Sequence, residues 1–502
     1  MAGSLNKPNV VLPLSPSYNE RGIDGYAATV TNSLDQRKIN CQYEPVKNAQ
    51  TGKTTLYVTP RPGVERNGNT FGSADQVAYL ATFPAATGIV VAGAIPWVFA
   101  TGTGSDVTVS STAQTVTIVS NLRPNYVDKV NISGTDTVVL QVGLLPPTRA
   151  FYSSAIATWT EISASAFTAI SQVGKMEHLD GYANQLGSDN RIYSSDVNSL
   201  QNWTATSFVT KQVKQDIAIG LARLGSQILA FGANTVEVAR NAGNTTGSPL
   251  QFISQLAANV GMTSVTTTGA THYYAELGGL LYFVGRTGGD RTEGLWSYNG
   301  SSFQKVSTPA IDRILSSVTA IYSVNRVVYA GQEAIGICLT HPSVSQRSLM
   351  FFPRWNDWFE WTSDVFQPVN SGKFFLPVSN GSAGGNRVYS FVTTNSWIDH
   401  STDYTREIVF NVPTDGNQVK RMAWAGVVAD SQSSGASTSA ATYLQMSVAD
   451  NADYSFGAAR QIDLRQRKKQ LYRMGAFRDR AVKITHSGNA QFRIQNFIAK
   501  VL

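Results

Sequence analysis

Short apolar strands separated by glycine-rich turns recur through the middle of the chain. Leu224–Gly232 leads into Thr235–Val238, Leu277–Gly285 leads into Gly294–Gly300, and a third unit begins at Arg326. Units of roughly 40 to 60 residues with several strands each are typical of β-propeller blades. The pattern therefore predicts an all-β fold with a β-propeller-like core. A stack of β-sandwiches is the rival architecture, because the strand spacing suits both.

The character of the sequence changes near residue 400, where charged residues become more frequent. We expect three parts: an N-terminal arm with the first strands at 1–60, the β-propeller-like core at 61–400, and an additional C-terminal β domain with basic strands at 401–502.

Turn and cap residues predict individual local structures. The dipeptide Asn299–Gly300 and the segment Gly232–Asn234 each separate two apolar strands, which indicates hairpins. Val107–Val119 alternates like a pair of strands. The clearest helix candidate is Pro309–Leu315, because Thr308 can cap it and a proline suits its first turn.

Composition excludes several classes of protein. Hydrophobic residues make up 42% of the 502 residues and charged residues only 15%, which excludes a disordered polymer and a long coiled coil. The two cysteines are too few for a disulfide scaffold and indicate free thiols in a reducing cytoplasm. The longest apolar stretch, Gly88–Ala100, is too short to span a bilayer, and the N-terminus lacks a signal-peptide core. We therefore expect no stable membrane insertion.

Most of the net charge of +7 lies near the C-terminus, where residues 401–502 contain 14 Lys and Arg against 8 Asp and Glu. The basic run consists of Arg460, Arg465, Arg467, Lys468, Lys469, Arg473, Arg478, Arg480 and Lys483. Three interpretations are open: a solvated strand face, a subunit interface against an acidic neighbour, or contact with nucleic-acid phosphates. Tyr472 and Phe477 lie within the run and could stack on bases or belong to a core.

The sequence patterns that resemble phosphate-binding and metal-binding motifs are incomplete. Gly52–Thr54 matches only part of a phosphate-binding loop and more simply turns a hairpin between Tyr43 and Leu56. The five histidines stand singly, without a second ligand at metal-binding spacing. Ser194–Asn198, followed by Trp203, loosely resembles the Asp-box hairpin of sialidase-type propellers, which is a folding element. We expect no enzyme activity, no catalytic residues, no metal and no cofactor.

An aromatic cluster keeps one alternative function open. Trp355, Trp358 and Trp361 could form a platform for sugars, although their spacing favours packing within strands and turns. The alternative is a glycan-binding or glycan-cleaving β-propeller that acts as a receptor-binding module.

Several stretches together resemble the tail hub or nozzle proteins of short-tailed bacteriophages, a family that includes packaged-DNA stabilisation proteins and tail tubular proteins. The stretches that carry the resemblance are Asp35–Asn40, Tyr43–Glu44, Leu56–Gly63, Asn190–Trp203, Leu229–Val238, Asn241–Gly243, Gly261–Met262, Leu281–Val284, Ile311–Asp312, Arg467–Leu471, Arg473–Gly475, Arg478–Arg480 and Phe492–Ile494.

The resemblance implies a structural virion protein, based on a β-propeller, in six copies around the tail axis below the head–tail adaptor. It implies a conduit that retains packaged double-stranded DNA and later lets it pass during ejection. The implied partners are further copies of the chain, adaptor or portal proteins, tail fibre, tailspike or needle proteins, and the DNA. The implied location is the virion tail, after assembly in the host cytoplasm. Another virion protein, such as a capsid decoration or fibre protein, is a third possibility.

Overall fold

β-Strands form nearly all of the regular structure, which confirms the all-β prediction. The computed structural model describes residues 8, 10–14, 37–47, 49, 52, 54–70, 77–83, 87–92, 95–100, 112–113, 124–142, 149–153, 160–213, 216–244, 246–263, 274–288, 293–318, 320–329, 331–341, 344–362, 367–368, 377–379, 387–391, 397–399, 403–412, 418–430, 442–450 and 455–502. The chain divides into two compact units. The propeller unit comprises Arg66–Ser348 and Phe366–Ser390, and the two-sheet unit comprises Met1–Glu65, Leu349–Val365 and Phe391–Leu502. The three-part division expected from the sequence remains a prediction.

The propeller unit is a series of small antiparallel sheets, most of them built from strands that follow one another in the chain. The first four sheets run β6-β7-β8-β9, β10-β11-β12-β13, β14-β15-β16-β17 and β18-β19-β20-β21. Their strands are β6 (Val77–Phe83), β7 (Thr87–Ala92), β8 (Ile95–Ala100), β9 (Thr112–Ala113), β10 (Pro124–Ile132), β11 (Thr135–Val142), β12 (Arg149–Ser153), β13 (Thr160–Glu161), β14 (Gln172–Leu179), β15 (Tyr182–Gly187), β16 (Arg191–Ser195), β17 (Trp203–Thr210), β18 (Ala218–Leu224), β19 (Gln227–Gly232), β20 (Val236–Asn241) and β21 (Leu250–Phe252).

The fifth sheet runs β22-β24-β25-β26 with β23 paired to β24, and a long hairpin of β27 and β28 follows it. A further sheet, β31-β32-β33-β5, joins strands from late in the chain to one from its beginning, which ties distant parts of the chain into one ladder. These strands are β5 (Val64–Thr70), β22 (Val260–Met262), β23 (Tyr274–Leu277), β24 (Leu280–Thr287), β25 (Gly294–Tyr298), β26 (Phe303–Lys305), β27 (Ala320–Tyr329), β28 (Gln332–His341), β31 (Gln367–Pro368), β32 (Pro377–Ser379) and β33 (Arg387–Phe391). A further strand, β29 (Val344–Phe352), follows β28 in the chain and pairs with it.

Apolar side chains cover both faces of the sheets in the middle of the propeller unit. In β19, Leu229 and Phe231 point to one face and pack with Phe283 of the fifth sheet, where the Phe231 and Phe283 rings lie 4.8 Å apart. Ile228 and Ala230 point to the other face and pack with residues of β15 and β16. A strand that is buried on both faces has a continuous run of apolar residues in its sequence. This is why apolar and polar residues do not alternate in β19. Face-to-face stacking of such sheets is the packing of propeller blades.

Two hairpins predicted from turn residues are confirmed. β25 and β26 pair antiparallel, and between them Asn299 Oδ1 accepts hydrogen bonds from the backbone nitrogens of Ser301 and Ser302 at 2.9 and 2.8 Å. Gly300 has φ +93°, a conformation that favours glycine. β19 and β20 form the second hairpin. The alternation predicted at Val107–Val119 lies largely outside the described residues, of which only β9 falls within it.

The Asp-box-like segment forms a tight turn with a tryptophan beneath it. Asn198 has φ +57°, so it takes the left-handed conformation that glycine would take in the motif. Asp196 donates its backbone N–H to the carbonyl of Asn202, and the Trp203 indole donates to the carbonyl of Leu200 at 2.8 Å. The Trp203 ring packs against Phe167 at 4.8 Å between centroids. The segment is therefore a folding element of its sheet.

Helices are few and short in the part of the chain that the structure describes. They are α1 (Ser165–Thr168), a 3₁₀ turn (Ser254–Leu256) and α2 (Pro309–Ser317). α2 begins where the sequence predicts and ends two residues later than expected, and the Thr308 hydroxyl accepts a hydrogen bond from the nitrogen of Ile311. None of these helices has the length or apolar character to cross a membrane. The apolar stretch at Gly88–Ala100 forms strands β7 and β8.

The two-sheet unit contains two antiparallel-rich sheets that pack on each other. One runs β30-β2-β34-β40-β36-β37 within the unit, and the other runs β3-β4-β41-β35-β38 with β1 beside β41 and β39 beside β35. Phe410 and Phe497 meet edge to face at 4.9 Å between the sheets, and Tyr43 meets Phe359 at 4.8 Å. The strands are β1 (Val10–Pro13), β2 (Arg37–Ile39), β3 (Cys41–Lys47), β4 (Thr54–Pro60), β30 (Asp357–Thr362), β34 (Arg406–Val412), β35 (Lys420–Ala429), β36 (Tyr443–Ala449), β37 (Arg460–Asp463), β38 (Gln470–Tyr472), β39 (Ala476–Phe477), β40 (Arg480–His486) and β41 (Ile494–Val501). The hairpin predicted between Tyr43 and Leu56 is β3 with β4.

Both cysteines are free and buried, as expected for thiols that form no disulfide. Burial raises the pKa of Cys41 to about 12 and that of Cys338 to about 11. The two thiols therefore stay protonated and unreactive near neutral pH.

A buried cluster of charges lies where strands of three sheets of the propeller unit meet. Lys175 on β14 forms ion pairs with Asp128 on β10 at 2.6 Å and with Glu177 at 3.5 Å. The hydroxyl of Tyr274 on β23 donates to Glu177 Oε1. Burial raises the pKa of Glu177 to about 7 despite the attraction of Lys175, and it lowers the pKa of the neighbouring His178 to about 4.

We predict that Phe231→Ala lowers the free energy of unfolding by about 3–5 kcal/mol, because it opens a cavity between two sheets that pack face to face. Differential scanning calorimetry should show a lower unfolding temperature for this variant. Ile217→Ala is the control, since the Ile217 side chain is 75% exposed and should leave the transition in place. Equal unfolding temperatures for the two variants would contradict the packing described here.

We also predict that the chain loses about 1 kcal/mol of stability between pH 6.5 and pH 8.5 through Glu177. The folded carboxyl, with its pKa near 7, releases its proton in this range, whereas an unfolded carboxyl with a pKa near 4.5 has already lost it at both pH values. The unfolded His178, with a pKa of 6.5, titrates at the lower edge of this window and opposes the loss by about 0.4 kcal/mol, equally in the wild type and in the variants below. Urea unfolding at the two pH values should show the loss in the wild type and in Glu276→Gln, an exposed control on β23. The loss should be absent in Glu177→Gln, and a persistent loss would contradict this account.

Candidate functional site

The basic run lies in the two-sheet unit. Arg460 is on β37, Arg480 and Lys483 are on β40, and the other six cations lie in the turns before and after β38 and β39. β37 pairs with β36 at the edge of one sheet, whereas β38 and β39 pair with β35 in the other sheet. Neighbours in the sequence are therefore placed in different surroundings. The nine cations separate into a group held by other protein groups and a group that faces solvent.

Arg480 is a buried structural residue. Its side chain is 1% exposed, and its Nε and Nη2 atoms both lie 2.6 Å from the Asp450 carboxylate. Its Nη1 donates to the carbonyl of Met474 at 2.7 Å, and the guanidinium lies 4.3 Å from the Phe477 ring centroid. Phe477 is itself buried, so it belongs to the core and is unavailable for stacking on bases. A bidentate pair of this kind fixes the β39–β40 connection.

Three further cations are held less deeply. Lys469 is buried and donates to the carbonyl of Gln466 at 3.1 Å, and burial lowers its pKa. Lys483 lies 4.4 Å over the Phe456 ring. Arg460 donates to the carbonyl of Tyr472 at 2.8 Å.

Arg465 is exposed but locally neutralised. Its guanidinium contacts both oxygens of Asp463 at 3.0 Å and donates to the Tyr443 hydroxyl at 2.9 Å. The hydrogen bond from Arg465 is the main reason that the pKa of Asp463 lies below its usual range. The pair leaves little charge for an outside partner.

The remaining four residues form what we call the exposed basic set: Arg467, Lys468, Arg473 and Arg478. Within the described ranges, no carboxylate or carbonyl is paired with their side chains. Arg467 and Lys468 lie in the turn before β38, and Arg473 lies after it with φ +57°. Arg478 follows β39 directly.

Strand pairing adds one cation that the sequence analysis missed. Arg421 on β35 is exposed and lies opposite Ala476 of β39, two residues before Arg478. It stands about forty residues before the start of the basic run in the sequence, and the β35–β39 ladder brings it near. Tyr472, which is 54% exposed, is the last residue of β38 and directly precedes Arg473. The exposed basic set and Arg421 thus offer five exposed cations, and Tyr472 adds one accessible ring.

This arrangement suits recognition of an acidic or phosphate-bearing partner. Exposed cations of one sign raise the local concentration of anions, and their attraction weakens as salt screens it. Lysine and arginine side chains neutralise the phosphates of nucleic acid in the same way. Neither role can be assigned to the neutralised or buried members of the run.

The tryptophan cluster does not form an open platform. Trp361 is buried and donates its indole N–H to the carbonyl of Cys41 at 2.9 Å. Trp358 packs against Phe351 at 4.9 Å, and Trp355 meets the edge of Tyr43 at 6.3 Å. The three rings belong to the packing around β30, which is the interpretation that their spacing favours.

Comparison with solved structures finds distant likenesses. A chain of the mitotic checkpoint complex is 13% identical with a TM-score of 0.39, and covers 73% of this chain and 100% of its own. The WD40 β-propeller domain of Doa1 is 9% identical with a TM-score of 0.39, at coverages of 66% and 98%. PorZ of the type-IX secretion system of Porphyromonas gingivalis is 9% identical with a TM-score of 0.37, at coverages of 71% and 44%.

No curated protein sequence matches the chain. One family model does, and its description is "Bacteriophage P22 Gp10, beta-propeller". The match extends over residues 48–341, which is more than half of the 502 residues and includes the five blade-like sheets from β6 to β26. The chain therefore belongs to the bacteriophage P22 Gp10 β-propeller family.

Proposed function

We propose that this chain is a structural protein of the virion of a short-tailed phage. In this proposal it forms the tail hub or nozzle ring below the head–tail adaptor, in six copies around the tail axis. The ring retains packaged double-stranded DNA and forms part of the conduit through which DNA is ejected. The observation that carries the proposal is the family match over residues 48–341.

The packing of the propeller unit supports a mechanical role. Sheets buried on both faces resist shear, because sliding one sheet past another would disrupt close-packed side chains such as Phe231 and Phe283. A part that holds DNA under pressure needs such rigidity more than it needs a mobile active site.

The surface of the two-sheet unit supports contacts with partners. The exposed basic set and Arg421 offer cations that a neighbouring acidic subunit, an adaptor protein or DNA would neutralise. Tail fibre, tailspike or needle proteins are the further partners of such a ring in this proposal.

The proposal can be tested with particles assembled without the chain. We expect these particles to package DNA and then lose it, so that the DNA becomes sensitive to added nuclease and infectivity falls. Supplying the wild-type chain during assembly should restore both. Particles that lack the chain and still keep their DNA protected would contradict the retention role.

We predict that charge removal in the exposed basic set weakens binding to an anionic partner. The variant Arg467→Gln/Lys468→Gln/Arg473→Gln/Arg478→Gln should either lose affinity for short duplex DNA or lose self-association, and each lost phosphate contact should reduce the slope of log affinity against log salt by about 0.9. Fluorescence anisotropy and sedimentation at two salt concentrations separate the two outcomes.

The matched control keeps the charge at the same positions. Arg467→Lys/Arg473→Lys/Arg478→Lys should retain most of the binding, because the positive charges that attract phosphates are kept. Unchanged DNA binding and unchanged assembly in the glutamine variant would assign the basic set to a solvated face.

A further inference from the structure

A polar pocket of about 170 Å³ opens on the two-sheet unit, apart from the exposed basic set. Its lining includes Tyr443 and Gln445 of β36, Gln461 of β37 and Thr485 of β40. Gln445 lies directly opposite Gln461 on one side and directly opposite Thr485 on the other. Directly opposed residues have their Cβ atoms about 5 Å apart, so three polar side chains form one row across three strands.

The hydrogen-bonding capacity of this row is largely unused. Gln445 and Gln461 are exposed, Thr485 is half-buried, and none of the three side chains forms a hydrogen bond with another residue among those described. Each glutamine amide offers two donor hydrogens and an acceptor oxygen, and the threonine hydroxyl offers both functions. Five strong groups of this kind in one small concavity match a ligand that also carries several donors and acceptors.

An aromatic ring and a buried imidazole complete the lining. Tyr443 lies two residues before Gln445 on the same face of β36, and Arg465 holds its hydroxyl at 2.9 Å. His486 is buried and rests against Phe492 at 5.0 Å between ring centroids. The Arg465 guanidinium also lies 5.4 Å from the centroid of the Tyr443 ring, so it holds the half-buried phenol ring in place beside the amides.

The chemistry of the lining favours recognition by hydrogen bonds. The residues found around the pocket are Tyr, Gln, Thr, His and Ser, with no carboxylate, lysine or arginine among them. The nearest charges lie outside this lining: Arg465 at the Tyr443 hydroxyl and Glu407 directly opposite Thr485 on β34. The volume is well below the roughly 300–1,000 Å³ of pockets for drug-sized ligands, so the pocket suits a single ring.

We propose that this pocket binds one neutral sugar unit of a glycan. Hydroxyl groups of the sugar exchange hydrogen bonds with Gln445, Gln461 and Thr485, and its apolar face lies against Tyr443. The proposal concerns the purified chain and does not rest on its place in a tail. It differs in location from the tryptophan cluster considered above.

Saturation-transfer NMR of the intact chain with glucose, galactose, mannose, rhamnose and N-acetylglucosamine tests the proposal. At least one of these neutral sugars should receive saturation from the protein, and anionic N-acetylneuraminic acid should not displace it. Gln445→Leu and Gln461→Leu should each weaken binding by roughly tenfold, as expected for loss of paired hydrogen bonds. Gln251→Leu, at an exposed glutamine of β21, is the matched control and should bind like the wild type.

The source of the sugar is distinguished by ligand length. Oligosaccharides from a host-surface polysaccharide that bind more tightly than the monosaccharide would indicate a surface glycan, and equal affinity would indicate a free sugar. Absence of saturation transfer to every neutral sugar overturns the proposal, as does binding that Gln445→Leu and Gln461→Leu leave unchanged. Unfolding temperatures equal to that of the wild type should accompany the losses, because both glutamines are exposed.

Discussion

The propeller unit depends on sheets that are apolar on both faces. A four-stranded sheet with one apolar face can be completed by a single neighbour, but β19 carries buried side chains on both sides and needs a sheet against each. The chain meets this need by repeating the sheet, so that every blade in the middle of the unit covers the next. The positions of the loops and turns are then determined by the ends of the strands that they connect. The family match covers this part of the chain.

Charged groups are few and are mostly fixed where strands of different sheets meet. Lys175 joins Asp128 and Glu177 across β10 and β14, and Lys211 holds Asp216 at 2.9 Å beside the β19–β20 turn. In the two-sheet unit, Arg61 forms a bidentate pair with Asp399 at 2.9 and 2.5 Å. Breaking such a pair by removing one partner leaves a buried charge uncompensated, which makes these contacts specific. Cations outside these pairs, such as Arg467 and Lys468, are the ones left for partners.

Local features of the fold could be predicted from the sequence, because they depend on a few adjacent residues. The Asn299–Gly300 hairpin and the helix capped by Thr308 follow from turn and cap chemistry alone. The propeller-like core could be recognised from repeated strand–turn units. The division of the chain into two units could not be predicted from local sequence patterns, because the two-sheet unit is formed by three separate segments of the chain.

The candidate sites were less predictable, because they are made by pairing between distant strands. Arg480 and Lys468 look equivalent in a run of basic residues, yet one is buried against Asp450 and the other faces solvent. Arg421 is brought near the exposed basic set through the β35–β39 ladder. The row of Gln445, Gln461 and Thr485 has no signature in the sequence, since its members come from three strands.

The central claim is that this member of a phage β-propeller family forms a ring through which DNA passes. Electron microscopy of intact virions, followed by fitting of this structure, tests that claim most directly. The account predicts six copies that close a ring on the tail axis around a channel as wide as duplex DNA, with the exposed basic set against a neighbouring subunit or the channel. Copies confined to the capsid surface or to fibres, with none on the tail axis, would contradict it.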